Sequence, residues 1–526
     1  MASSTTTAAI ATLLSRIVGT PNESCFPSGF GMYSLRHRNL PMNPPDSLID
    51  SASPSQLSAA SKRLLPWLVA VAFFMESLDT TILNTAVPAI SEALHVVPLS
   101  MKAVLASYTL SLAVFIPISG WMADRFGTRR VFASAIGLFT LGSLLCAISS
   151  NIHLLVACRV LQGCGGAMMV PVGRLTLVRS FDKSELLRTM SFVAIPALVA
   201  PMLGPIAGGL IVGYFHWRLI FFLNIPIGVA GLVLVYLHLP DFREEHTHPL
   251  DVVGLILFGS GVALLSYVLE IFGEHTLSVR EMTGLLALSL ALLAGYAVHA
   301  KSIPFPLLNL SLFNIRTFRA AVSGSFFTRL GIGGVPFLLP LLYQVGLGFT
   351  PIQSGLLIMP QAIAAMSMKM IMPRLLRLIG YRGVLISNTL ILGVLLALFA
   401  MIGLHTPVWV IVLLAFFYGA FTSLQYTSMN TLVYADTTEE QTSDASSIAS
   451  TMQQMSISFG VAAAGLTTAF FIPGTSNSNP LAMIHGIHKS LFVLGGLTIV
   501  STIVFRSLKR GDGDTVNQGK IFHPGG

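Results

Sequence analysis

From residue 64 to residue 505 the chain is a succession of apolar runs broken by short clusters of charged and turn-forming residues. Each run is close to the roughly 20 residues that a helix needs to cross about 30 Å of hydrocarbon. Runs near 64–90, 101–122, 131–149, 154–177, 186–214, 219–239 and 252–271 predict seven membrane helices. Seven more are predicted near 282–299, 318–342, 352–375, 383–404, 408–431, 445–470 and 490–505, with 408–431 fading into Gln425 and Asn430. An even number of spans puts both termini on one side. Residues 1–60 differ in kind, being rich in Ser, Thr, Ala and Pro with no run able to span. They read as a disordered cytoplasmic tail. A transit-type targeting segment, suggested by Arg16 and no acid within the first twenty residues, or a misassigned start codon are the alternatives.

Composition narrows the class. Of 526 residues, 53% are hydrophobic and 10% charged, with a mean hydropathy of +0.77. A soluble domain spends about a quarter of its residues on charge, so readings as a soluble enzyme, a coiled coil or a nucleic-acid binder fall away. The net charge of +8 then belongs to loop residues. The even-numbered loops hold Arg125, Arg129, Arg130, Arg174, Arg179, Lys183, Arg188, Arg243, Lys301, Arg316, Arg319, Arg374, Arg377 and Arg382; the odd ones hold Lys102, Arg218, Arg280 and Lys489. By the positive-inside rule the even loops and both termini are cytoplasmic, in an inner (plasma) membrane. Three of the four cysteines lie in apolar runs, where a free thiol behaves as a small hydrophobe, and no disulfide framework is expected.

Two even loops resemble each other. Gly127 and Arg129 in loop 2–3 match Gly380 and Arg382 in loop 10–11 at an offset of 253 residues, and the same offset carries span 1 onto span 9 and span 3 onto span 11. Two six-helix halves with spans 7 and 8 inserted give that spacing, and parallel halves around a midplane cavity are a common transporter plan. The expected domains are the tail (1–60), an N-terminal bundle (61–242), inserted spans and linkers (243–310), a C-terminal bundle (311–508) and a second tail (509–526).

The motifs resemble a known family. Gly120-x-x-x-Asp124-Arg125-x-Gly127-x-Arg129-Arg130 is similar to the loop 2–3 signature of the major facilitator superfamily. Span 5 carries Gly204-Pro205-x-x-Gly208-Gly209, similar to the motif of its proton-coupled antiporters, with Ala200 where a glycine is usual. Leu78-Asp79-Thr80-Thr81 in span 1 and Arg159-x-x-Gln162-Gly163 in span 4 resemble the fourteen-span drug:proton antiporters of EmrB/QacA type, nearest to the MdtD-like exporters. The resemblance runs from about 64 to 505. It implies an all-α polytopic fold of two six-helix bundles plus two inserted helices, and export of amphipathic or cationic compounds against a proton gradient. It also implies Asp79 as the coupling acid, a role for Arg159 in proton transfer, and a conformational latch at Gly120, Asp124, Arg125, Gly127, Arg129 and Arg130.

The residues themselves add chemistry. Glu76 and Asp79 fall three apart on one helix face in the middle of span 1, where an acid is expensive and usually faces a cavity. Hydrogen bonding to neighbouring helices is the plainer role for both. Arg159 needs a partner across the bundle, and Asp79, Glu76 or backbone carbonyls all qualify. Gly204, Gly208 and Gly209 permit close helix approach, and Pro205 bends the helix. Arg329, inside span 9, points to a substrate cavity or an interhelical pair. Glu244-Glu245-His246-Thr247-His248 reads as a solvated linker rather than a metal site. With no phosphate-binding loop, the energy source is an ion gradient and no cofactor is expected. Expected partners are a small organic substrate, protons and the bilayer, with a periplasmic adaptor protein as a further candidate and no nucleic acid. The competing readings are an exporter or importer of one endogenous metabolite, and a membrane sensor that binds without transporting.

Overall fold

The computed structural model describes residues 59–244, 247–271, 278–472 and 480–513, and the statements of structure that follow concern those residues. All but the last two residues of the 1–60 tail lie outside them, as do Glu245 and His246. In the first half α1 is Ala59–Ala93, α2 Lys102–Phe126, α3 Thr128–Ile148, α4 Ile152–Ser180 and α5 Lys183–Tyr214. The next three are α6 Leu219–His238, α7 Val252–Ile271 and α8 Val279–Ser302, and α9 is Arg316–Gly346. A single 49-residue helical stretch, Pro351–Phe399, turns sharply at Gly380 and so supplies α10 (351–380) and α11 (381–399). The last three are α12 Val408–Leu432, α13 Thr442–Phe471 and α14 Pro480–Phe505. Thirteen helical stretches are long and apolar enough to cross a membrane, and with one of them folded at Gly380 the number of crossings is fourteen.

The two turns behind the repeat share one backbone geometry. Gly127 has φ 93° and ψ 142°, and Gly380 has φ 72° and ψ 162°. That region of φ/ψ space is essentially closed to residues with a Cβ, which explains why glycine recurs at this offset. Elsewhere the boundaries move. The last helix begins at Pro480 instead of near 490, because the polar residues that interrupt the run there are accommodated inside the helix. His488 Nε2 lies 2.8 Å from the Ile402 carbonyl oxygen, and the Lys489 ammonium lies 5.3 Å from the centre of the Phe471 ring. Lys102, placed in a loop by its charge, opens α2 and is buried. The α9 helix breaks at Gly333–Gly334 and ends in a widened turn over Leu342–Gly346.

In the first half α1 packs on α5, α4 on α2 and α3, and α6 on α3; in the second, α10 and α11 pack on α12 and α9 on α13 and α14. The halves meet where α2 crosses α13, α5 crosses α10 and α1 meets the outer part of α9. The hairpin of α7 and α8 lies against this assembly, with α7 touching both α2 and α13.

A candidate proton and substrate site between two helical bundles

The small residues around Gln162 let three helices crowd together. A Cβ on Gly163 would sit 2.6 Å from Ser111 Cβ on α2, and one on Gly142 of α3 would sit 2.7 Å from the Gln162 backbone. This close approach buries Asp79 and Arg159, at 2% and 1% exposure, and sets them face to face. Arg159 Nη1 donates to Asp79 Oδ2 at 2.5 Å and to Gln162 Oε1 at 2.7 Å. Asp79 Oδ1 accepts from Gln162 Nε2 and from Asn224 Nδ2, each at 2.9 Å. Ser143 Oγ accepts from the same two amides, at 2.7 and 3.2 Å. Of the three partners open to Arg159 in the sequence, the structure selects Asp79. It also recruits Gln162, Ser143 and Asn224, to which the sequence pattern assigns no role. Asn224 does leave a signal, a lone amide in the apolar stretch Leu219-Ile-Phe-Phe-Leu-Asn224-Ile-Pro-Ile.

The second half holds a similar cluster without charge. Asn388 Nδ2 donates to Gln425 Oε1 at 2.7 Å, and Gln425 Nε2 donates to Thr389 Oγ1 at 2.8 Å. Of the two clusters, only that of the first half contains a carboxylate.

A cavity of about 840 Å³ lies between the halves. Its deep wall includes Glu76, Leu112 and Gly166, and its mouth is bounded by Gly120, Asp124, His248, Asn309 and Asp444. These mouth residues all belong to even-numbered loops or the helix ends beside them. Asp79 and Arg159 are not part of the wall. Tyr108 bridges the gap, for the Arg159 guanidinium lies 4.1 Å from its ring centre and its hydroxyl sits beside Gly166. At the opposite end the halves are closed on each other. Gln344 Nε2 donates to the Thr85 carbonyl at 2.9 Å, and a Cβ on Gly209 of α5 would lie 2.5 Å from the Pro351 carbonyl of α10. Gly204 and Gly208 seat α5 on α1, a Cβ on the first meeting Thr81 Oγ1 and one on the second lying 2.5 Å from the Ile82 carbonyl. Pro205 continues the contact to α10, its carbonyl facing Gly355. The span 5 motif thus lies where three helices from both halves converge.

The loop 2–3 segment is tied to its own half and to the linker that follows α6. Arg179 Nη2 donates to Asp124 Oδ1 at 2.9 Å and to Glu244 Oε1 at 2.7 Å. The Glu244 N–H donates to the Asp124 carbonyl, and the Arg129 N–H donates to Asp241 Oδ1 at 3.1 Å. Arg125 and Arg130 are exposed, and Gly120 and Asp124 face residues 442–447 of the second half across the mouth. Glu244 is therefore an ion-pair partner of Arg179, while His248 stacks on Phe305 with ring centres 3.6 Å apart. Arg329 is buried on α9, outside the cavity wall, beside Ser325, Tyr426 and Asn430.

Two bundles sealed at one end and parted at the other, around a solute-sized cavity, describe a carrier that exposes its site to one side at a time. The chain belongs to the major facilitator superfamily, whose family model matches residues 69–461. It is a membrane transporter and not an enzyme. It is 42% identical over 405 residues to a protein of Serratia proteamaculans named as a candidate multidrug resistance protein, MdtD, covering 77% of this chain and 85% of that one. It is 37% identical over 470 residues to the MdtD of Pectobacterium carotovorum, covering 88% and 99%. Among solved structures the POT family transporter PepTSo superimposes with a TM-score of 0.64 at 14% identity over 87% of this chain and 99% of that one. A D-xylose-proton symporter superimposes with a TM-score of 0.60 at 14% identity over 84% and 97%. At such identities these two establish the shared fold.

Proposed function

We propose that the protein is a proton-coupled antiporter that exports amphipathic or cationic organic compounds by alternating access. The observation that carries this reading is the Asp79–Arg159 pair, a carboxylate sealed inside one bundle a single side chain away from an open cavity. A proton on Asp79 cancels the charge that holds Arg159, Gln162 and Asn224 together. That loosens the join of α1 to α4 and α6, and α1 is one of the helices through which the two halves meet. Glu76 stands on the cavity wall three residues from Asp79 and serves both as a proton relay and as the counter-charge for a cation. The multidrug resistance names carried by the bacterial MdtD relatives support export of diverse organic compounds. The basic residues of the even loops support a cytoplasmic mouth and cytoplasmic termini.

Closure of the mouth would bring Asp124 and the exposed Arg125 and Arg130 against residues 442–447, the latch expected of this segment, while opening of the far end would separate Gly209 from Pro351. The five-part division into tails, bundles and inserted hairpin is the domain plan we adopt. Purified protein in liposomes tests the reading, with a pH-sensitive dye recording protons released when substrate is added. Substrate-driven release in the native protein and none in Asp79→Asn is expected. Binding of substrate without any release would leave a sensor, and transport indifferent to a collapsed pH gradient would overturn the coupling.

A further inference from the structure

Arg329 is a buried charge that the proton-coupling scheme does not use. The residue is 2% exposed, and its guanidinium lies 3.7 Å from the centre of the Tyr426 ring. Its Nε donates to Ser325 Oγ at 2.9 Å, and its Nη2 reaches Asn430 Oδ1 only at 3.4 Å. Among the described residues no carboxylate pairs with it; every acid in an ion pair is engaged by Lys62, Arg159, Arg179, His299 or Arg316. Arg159, equally buried, has Asp79. A guanidinium held only by the neutral Ser325, Tyr426 and Asn430 at this depth is costly, and none of them is the carboxylate that its fork matches.

Its place in the fold gives the missing anion a source. Arg329 follows Glu76 by 253 residues, the same offset that separates the turn glycines Gly127 and Gly380. The repeat therefore sets an acid on α1 and a base on α9 at matching positions of the two halves, on either side of the axis between them. Glu76 lines the cavity in this conformation, and Asn430, the residue that touches Arg329, is exposed. Tyr426 covers one face of the guanidinium, and its edge, the part that pairs with a carboxylate through two parallel hydrogen bonds, meets only neutral groups.

We propose that Arg329 binds a carboxylate of the transported solute while Glu76 faces its cationic end, so that the preferred cargo is zwitterionic. The proposal rests on the transport reading above and narrows it. The solute meets Glu76 first in the open cavity. Its carboxylate then displaces Asn430 from Arg329, so that one molecule bridges the two halves and favours their closing around it.

A matched pair of dyes tests this: a rhodamine with a free benzoate, and the ethyl ester of the same dye, which lacks only that negative charge. Uptake into liposomes containing the full-length protein, driven by a proton gradient, is measured for both. In the native protein the acid should be preferred. Arg329→Gln should lower the acid-to-ester ratio about tenfold or more, as expected for loss of a charge-assisted pair, and leave ester transport nearly unchanged. Arg329→Lys keeps the charge without the fork and should give an intermediate ratio, which serves if the Gln variant misfolds. Glu76→Gln should depress both dyes. An acid-to-ester ratio unmoved by either Arg329 variant overturns the proposal while the transport reading stands. The proposal also falls if replacing chloride by gluconate shifts the native protein's melting temperature, Arg329→Gln abolishes that shift, and the dye ratio stays constant, for the site then holds an inorganic ion. Transport of neither dye overturns the export reading and this proposal with it.

Discussion

Replacing Asp79 by Asn keeps the outline of the side chain and removes its charge, and the structure sets the size of the effect. Asp79 accepts hydrogen bonds from Arg159, Gln162 and Asn224. The variant has one oxygen in place of two, so at least one of these donors then faces an amide N–H. Arg159 is left with the Gln162 oxygen at 2.7 Å and the face of Tyr108. Stranding one partner of a buried ion pair costs about 3–5 kcal/mol in soluble proteins. Polar pairs between membrane helices average about 0.6 kcal/mol, because the unfolded state in lipid also finds partners. A loss of about 1–4 kcal/mol is therefore expected, enough to lower the melting temperature without preventing insertion. Adding Arg159→Gln removes the stranded charge and should recover most of that stability. Coupling is a different matter, since neither the single nor the double variant has a group at position 79 that can carry a proton. The assay compares native, single and double variants in liposomes, reading protons released by substrate beside melting temperature in detergent. Native-like proton release from Asp79→Asn, or its return in the double variant, would refute the assignment of Asp79 as the coupling acid.

Three further outcomes follow from the geometry. Gly208→Leu drives a side chain into the Ile82 carbonyl, which is backbone and cannot step aside, so the protein should insert normally yet lose export; transport within about twofold of native would contradict the α1–α5 contact. Gly127→Ala combines backbone strain of about 1–3 kcal/mol with a clash against the Asp241 carboxylate, whereas Gly380→Ala meets open space and suffers the strain alone, so the first should melt at the lower temperature; equal melting would show that Asp241 simply swings away. Asp251, just before α7, takes N–H donors from Gly254 at 2.7 Å and Leu307 at 3.1 Å and lies 2.8 Å from His299 Nε2. Burial pushes its carboxyl up, but the bonds from His299, Gly254 and Leu307 outweigh it and hold the carboxyl below its usual range. Its contribution to stability is thus present above the unfolded-state value of about 4 and lost as pH falls through the lower native value. Asp251→Asn should remove about 1–2 kcal/mol at neutral pH and little in strong acid, a difference that melting curves across pH resolve.

Helix number and order were legible in the chain because the bilayer imposes a single length on every crossing, and a run of apolar residues records it directly. The repeat was legible for a similar reason, since a backbone shape reserved for glycine left Gly127 and Gly380 as its trace. The acids of span 1 and the arginine of span 4 stood out because charge at such depth is rare. Where the pattern misled, at the start of α14, His488 and Lys489 had found the Ile402 carbonyl and the Phe471 ring in distant parts of the chain, which no local run reveals. Tertiary structure alone decided that Asp79, rather than Glu76 or a carbonyl, pairs with Arg159. It alone drew Asn224, 145 residues away, onto the same carboxylate, and left Glu76 on the cavity wall while Arg329 was kept from every acid. Those outcomes depend on how each helix is turned about its own axis, and that rotation is set by the small residues through which neighbours touch, a contact between distant parts of the chain that periodicity does not encode.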